Sequence, residues 1–266
     1  MIKNMFAALK KQSPDVSGKP CPNATNPLAS PAVAWQSWAI THTGMRRRLN
    51  EDALLNRPDA RLWVVADGMG GHQAGDVASQ LIVDSLGSLH ATEALENYAD
   101  NVEQQLQQVN RQLRQLAVSH YGNQLIGSTV VALVCQPPQC VFLWAGDSRL
   151  YRLRNNKLKQ LTQDHCEGYG QNITDWEVKN SNIITKAIGA EDTLELSIDR
   201  DEVLVGDVFL LCSDGLDKEL SLHEIETIMC GQALPDIAQA LLDETLARGA
   251  RDNVSVIVIS QANTPV

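Results

Sequence analysis

Residues 62–75 read LWVVADGMGGHQAG, an apolar run that ends at Asp67 and breaks into glycines. Continuous apolar residues closed by such a break predict a buried strand whose last residue is a carboxylate. Gly68, Gly70 and Gly71 leave room for a ligand to approach the backbone, and the carbonyl of Gly68 is itself an oxygen donor. A single Asp-Gly pair would ordinarily be a tight turn whose Asp bonds its own backbone. Here the design recurs. VFLWAGDS ends a strand at Asp147, VFLLCSDG does so at Asp214, and RDNVSVIVI begins one at Asp252. In TGMRRRLNEDALL, Glu51 and Asp52 stand just before the apolar pair Leu54 and Leu55.

Acidic corners of this kind share one physical problem. Buried carboxylates repel one another and are costly to desolvate, so a cluster of them is tolerable mainly around bound cations. Oxygen donors without an accompanying Cys or His cluster favour hard ions, magnesium or manganese over zinc or copper. Three consecutive arginines, 46 to 48, precede Glu51 and Asp52. Alone they would read as a solvated surface cluster, but beside an acidic corner a guanidinium can grip two phosphate oxygens at once.

Composition narrows the class. The 266 residues are 44% hydrophobic and 20% charged, which describes an ordinary globular chain, and acidic corners spread from Glu51 to Asp252 favour one domain. The formal net charge of −10 disfavours nonspecific binding to nucleic acid, which needs basic surface. Six cysteines carry no CxxC pair and no histidines at zinc spacing, so no zinc site is expected and a reduced cytoplasmic protein is. The start, MIKNMFAALKK, has too short an apolar stretch for a signal peptide, and no run reaches the roughly 18 residues of a membrane span. Residues 1–31, with five prolines among polar residues, are expected to form a flexible arm.

Periodicity then places the elements. Strands are expected at 35–40, 128–135, 140–145, 149–153, 207–212 and 252–260, and sheet-covering helices at 76–89 and 93–118. A helix at 221–230 opens with the capping-box pattern SLHE, and Pro235 suits the first turn of another that runs to about 248. Many strands with helix pairs in two blocks point to packed sheets with helices outside.

Taken in order, TGMRRRLNED, VVADGMGGHQAGDVAS, GSTVVALV, WAGDSRLYRL, LTQDH, ITKAIG, LLCSDGL and RDNVSVIVI resemble the metal-dependent serine/threonine protein phosphatases of the PP2C family, in its bacterial form. The resemblance covers roughly residues 38–260. It implies an α+β fold, a four-layer α/β/β/α sandwich of two antiparallel sheets flanked by helix pairs, over residues 32–262, with a flap at about 165–184 that is some five residues shorter than usual. It implies two Mn²⁺ or Mg²⁺ ions, with Asp67 and Gly68 at the bridging position and Asp214 and Asp252 completing the first ion's ligands. Asp52, or Glu51 beside it, would serve the second through water, and Asp147 would complete a third, weaker site with Asp214.

Arg47, five residues before Asp52, matches the family's phosphate-binding arginine. Family members with an acid histidine carry it two residues after the bridging Asp, which here is Met69, so His72 is expected to be structural and His165 a turn element. The implied activity is hydrolysis of phosphoserine and phosphothreonine on proteins by direct attack of a metal-bridging water, reversing a Ser/Thr kinase, by a monomer without membrane or nucleic-acid partners. The rival readings are a catalytically silent phosphoprotein-binding pseudophosphatase and a two-metal phosphodiesterase. Retained acidic positions oppose the first, and the acidic charge and ordered motifs oppose the second.

Overall fold

A computed structural model describes residues 34–70, 74–122, 124–167 and 183–262. The expected N-terminal arm, His72 and most of the expected flap lie outside the described residues.

Two antiparallel sheets form the middle of the molecule. The first has the order β1 (Trp35–His42), β11 (Val254–Gln261), β10 (Val208–Cys212), β7 (Arg149–Arg154) and β8 (Lys157–Gln160). The second has the order β2 (Asp52–Arg57), β3 (Leu62–Gly70), β5 (Val130–Gln136), β6 (Gln139–Ala145) and β9 (Ser197–Glu202), with β4 (Ile126–Ser128) paired to the end of β3. Side chains alternate across each strand, and that alternation divides the core into three apolar layers. On β3, Trp63 and Val65 meet Phe209, Leu211, Ile257 and Ile259 of the opposite sheet, while Leu62, Val64 and Ala66 turn outward to helices. The outward face of the first sheet, with Leu210, Val254, Val256 and Val258, packs on the other helix pair. Strands buried on both faces explain why their sequences read as unbroken apolar runs.

Helices α1 (Ala74–Gly87) and α2 (Leu95–His120) cover the second sheet. Ile82, Leu86, Val102, Leu106 and Leu113 recur at helical spacing on the face turned to it. A single turn, α3 (Asp214–Asp217), follows β10 directly, and α4 (Leu222–Met229) and α5 (Leu234–Ala247) cover the first sheet. The capping box at Ser221 and Glu224 forms as expected, and Pro235 lies in the first turn of α5. The four-layer α/β/β/α sandwich is thus the architecture, and among the described residues no helix is long and apolar enough to cross a membrane.

Three differences from the sequence reading matter. The strand expected at 128–135 is two strands broken at Thr129, whose backbone N–H donates to the Asp67 carbonyl at 2.9 Å and whose hydroxyl accepts from the Asp67 N–H at 3.2 Å. β11 begins at Val254 rather than Asp252, so Asp252 and Asn253 sit in the approach to the strand. β8 and β9 were not foreseen; they are sheet edges with the polar sequences KLKQ and SIDRDE, which no apolar period marks.

Candidate metal centre

The strand ends bring the acidic corners to one end of the sandwich. Asp52 is the first residue of β2 and pairs in register with Asp67 on β3. Within the first sheet, the Ser213 N–H donates to the Ser255 carbonyl at 3.0 Å, which fixes the end of β10 beside the start of β11. There a cleft of about 350 Å³ opens, lined by Arg47, Glu51, Asp67, Gly68, Asp214 and Asp252, with Met69, Gly70, Thr129, Ile184 and Lys218 completing its wall.

Glycine is required at two of these corners because other backbones pass close by. A Cβ on Gly68 would lie 2.0 Å from the Gly75 carbonyl oxygen and 2.6 Å from that of Glu51, so α1 and the approach to β2 could not close on β3. A Cβ on Gly215 would lie 1.9 Å from the Asn253 carbonyl oxygen, which would push α3 off the Asp252 segment. Glu51 is correspondingly held by its backbone. Its N–H donates to Asn253 Oδ1 at 2.9 Å, and its carbonyl accepts from the Gly68 N–H at 3.0 Å and the Ser79 hydroxyl at 2.6 Å.

Burial decides the electrostatics. Asp67 has its carboxyl pushed well above the usual range, first by burial and then by Asp52, Asp214, Asp252 and Asp147. Burial likewise pushes Asp52 and Asp147 up to about 6, and raises Asp214 and Glu51. Oδ1 of Asp52, of Asp147 and of Asp214 is buried with no hydrogen-bond partner. Unpaired buried carboxylate oxygens are expensive, and a divalent cation is the partner that suits several of them at once. The donor set, carboxylates with a backbone carbonyl, fits magnesium or manganese. Among the described residues no three Asp, Glu, His or Cys side chains are grouped so as to hold an ion; Arg47 pairs with Asp252 and Lys218 with Asp214.

The expected site residues do not all sit as the spacing suggested. Glu51 lines the cleft, whereas Asp52 is turned to the opposite sheet, its Oδ2 accepting from the hydroxyls of Ser213 at 2.8 Å and Ser255 at 2.7 Å. Asp52 is therefore replaced by Glu51 as the cleft-facing member of the pair. Asp147 lies outside the cleft wall, and its Oδ2 accepts from the Cys166 thiol at 3.8 Å. Arg47 does reach the cleft, and its guanidinium grips Asp252 through Nε and Nη2, each at 2.9 Å. His165 is structural: Nδ1 accepts from the Gly146 N–H at 3.1 Å, Nε2 bonds the Ser197 hydroxyl at 2.9 Å, and the ring stacks on Trp144. The base of the expected flap is joined by the Thr185 N–H to the His165 carbonyl at 2.7 Å and the Glu167 N–H to the Ile183 carbonyl at 3.0 Å.

Two contributors had no motif of their own. Asn253 is buried, and its side-chain amide donates to the carbonyls of Thr43 at 2.8 Å and Leu49 at 2.9 Å, tying down the arginine loop. Lys218 puts an ammonium directly on Asp214 Oδ2. The signal for Asn253 was its place next to Asp252; the signal for Lys218 was its spacing of one helical turn from Asp214.

Known proteins are similar to the chain in sequence and in fold. The family model described as Protein phosphatase 2C matches residues 44–251. The chain belongs to the protein phosphatase 2C family. Among its relatives in that family, the serine/threonine phosphatase stp of Listeria welshimeri is 32% identical over 237 residues, spanning 83% of this chain and 94% of its own. The structure of PppA from Pseudomonas aeruginosa superposes with a TM-score of 0.80 at 42% identity, covering 86% of this chain and 98% of that one. The catalytic domain of the phosphatase PstP, solved in complex with two manganese ions, has a TM-score of 0.76 at 29% identity, covering 86% of this chain and 99% of its own.

Proposed function

We propose that this chain is a protein serine/threonine phosphatase that holds two Mn²⁺ or Mg²⁺ ions in the cleft and reverses the action of a Ser/Thr kinase. The carrying observation is the convergence of Asp67, Asp214, Asp252 and Glu51 on one cleft beside a guanidinium, in a member of the protein phosphatase 2C family. Asp67, the Gly68 carbonyl, Asp214, Asp252 and Glu51 are the residues that would hold the two ions. When bound, the ions would supply an ionised water as nucleophile and neutralise the phosphoryl oxygens. Arg47 orients the substrate, since a planar fork that holds a carboxylate through two nitrogens presents the same geometry to a phosphate.

Ser128 and Thr129 keep the bridging residue in place by bonding the backbone of Asp67. Met69, on the cleft wall where an acid histidine would stand, gives no proton, so the serine or threonine alkoxide takes one from solvent or from water held at the metals when they are bound. The two Mn²⁺ of the PstP relative and the phosphatase names of the Listeria relatives support the same reading for this chain. The deciding assay is phosphate release from phosphothreonine and phosphotyrosine peptides after chelation, with and without Mn²⁺. Release from phosphothreonine that returns with Mn²⁺ is expected; full activity in the chelated sample would end the proposal.

A further inference from the structure

The resemblance carries an expectation of a third, weaker ion between Asp147 and Asp214, and the residues present do not fit one. We propose that the ammonium of Lys218 is the resident cation on that side of the centre, so that the chain takes two divalent ions and no third. The inference rests on the two-ion phosphatase reading and deepens it.

Helix α3 is one turn long, so residue 218 follows Asp214 by four positions and lies over it on the same face. The Lys218 N–H donates to the Asp214 carbonyl at 3.0 Å, and its Nζ reaches back to Asp214 Oδ2 in direct contact. That leaves Oδ1 of Asp214, buried and without a protein partner, as the oxygen free for an ion. With Oδ1 given to one of the two ions, a third ion between Asp147 and Asp214 would share Oδ2 with the ammonium, placing two positive charges within hydrogen-bond range in a site partly closed to water. The lysine serves both carboxylates: its charge is favoured by Asp214, Asp147 and Asp252, and it is the foremost charge that favours the ionised form of Asp147.

Arg47 on Asp252 is a different case. It comes from a loop, its side chain is half exposed, and it can swing to a substrate phosphate. Lys218 is tethered within one turn of the residue it neutralises, and its side chain is two-thirds covered. Its role is that of a positioning residue, fixing the Asp214 carboxylate and blocking one of its oxygens with a compact charge that requires no loading.

The test is metal stoichiometry on the full chain. Protein stripped with chelator is titrated with Mn²⁺ by calorimetry and by counting bound Mn²⁺, up to millimolar free metal. Wild type should bind two ions, Lys218→Met should bind three, Lys218→Arg should bind two, and Lys218→Met with Asp147→Asn should return to two. Asp147→Asn alone should leave the number of bound ions at two, which keeps the test decisive should Lys218→Met fail to melt cooperatively. Three ions in wild type, only two in a folded Lys218→Met, or loss of an ion in Asp147→Asn would each overturn the inference while leaving the two-ion reading intact. No bound Mn²⁺ in wild type would instead overturn the two-ion reading, and the inference with it.

Discussion

Arg47 and Asp252 hold each other through two parallel bonds, yet the arginine remains half exposed at the cleft mouth. A contact so placed is worth little to folding but much to a doubly charged ligand that offers the same pair of oxygens. Arg47→Ala should therefore leave the melting temperature nearly unchanged and raise KM. The loss of a charge-assisted bond of about 1.5–3 kcal/mol corresponds to roughly a 10- to 100-fold fall in kcat/KM. Steady-state kinetics on a phosphothreonine peptide check this, and a larger loss in Arg46→Ala or Arg48→Ala would show that the register is wrong. Asp67 is subject to the opposite balance. Four other carboxylates raise its pKa, so Asp67→Asn should abolish Mn²⁺ binding and turnover while the chelated variant melts higher than chelated wild type. Calorimetry and a thermal melt decide, and a variant that retains both ions would remove Asp67 from the bridging position.

At the scale of the element, the arginine loop and the approach to β11 act as one unit because Asn253 bonds three groups across it. Its amide satisfies the carbonyls of Thr43 and Leu49, and its carbonyl orients the Glu51 N–H. Asn253→Ala would remove the shared partner of those part-buried groups, at up to about 1–3 kcal/mol for each one that water does not reach. The expected result is a lower melting temperature together with a kcat/KM loss greater than that of Arg47→Ala, because Arg47 and Glu51 are both released. A melt and the same kinetics check it; unchanged kinetics in a folded variant would make Asn253 merely structural. The case also marks how far sequence could be read. The apolar strands and the Asp-Gly corners were legible because burial on both faces and close backbone approach each select residue types locally. β8 and β9 were not, since an exposed polar edge has no period to find. Nor was the choice between Glu51 and Asp52: adjacent strand residues point to opposite sides, and which side faced the cleft depended on Ser213 and Ser255, more than 150 positions away.

At the scale of the whole molecule, the centre sets fold stability against charge, and pH is the variable that exposes the conflict. Burial pushes Asp52 and Asp147 from 3.8 up to about 6, so between those values the folded chain keeps protons that the unfolded chain has released. A raised carboxyl pKa contributes stability that is fully present below the unfolded value and is lost as pH rises through the folded one. At about 1.4 kcal/mol per unit, each of the two groups would cost roughly 3 kcal/mol once both states are ionised. Mn²⁺ acts in the other direction. It binds ionised carboxylates of the folded chain, so its affinity grows with pH and its stabilisation follows the logarithm of its concentration over its dissociation constant. The melting temperature in chelator should therefore fall from pH 5 to pH 7, whereas the increment produced by millimolar Mn²⁺ should grow over the same interval. Thermal melts at half-unit pH steps, with chelator and with Mn²⁺, measure both curves. A chelated melting temperature that rises across this interval would mean that the carboxylates are already paired within the protein, and the case for a divalent centre would lose its electrostatic basis.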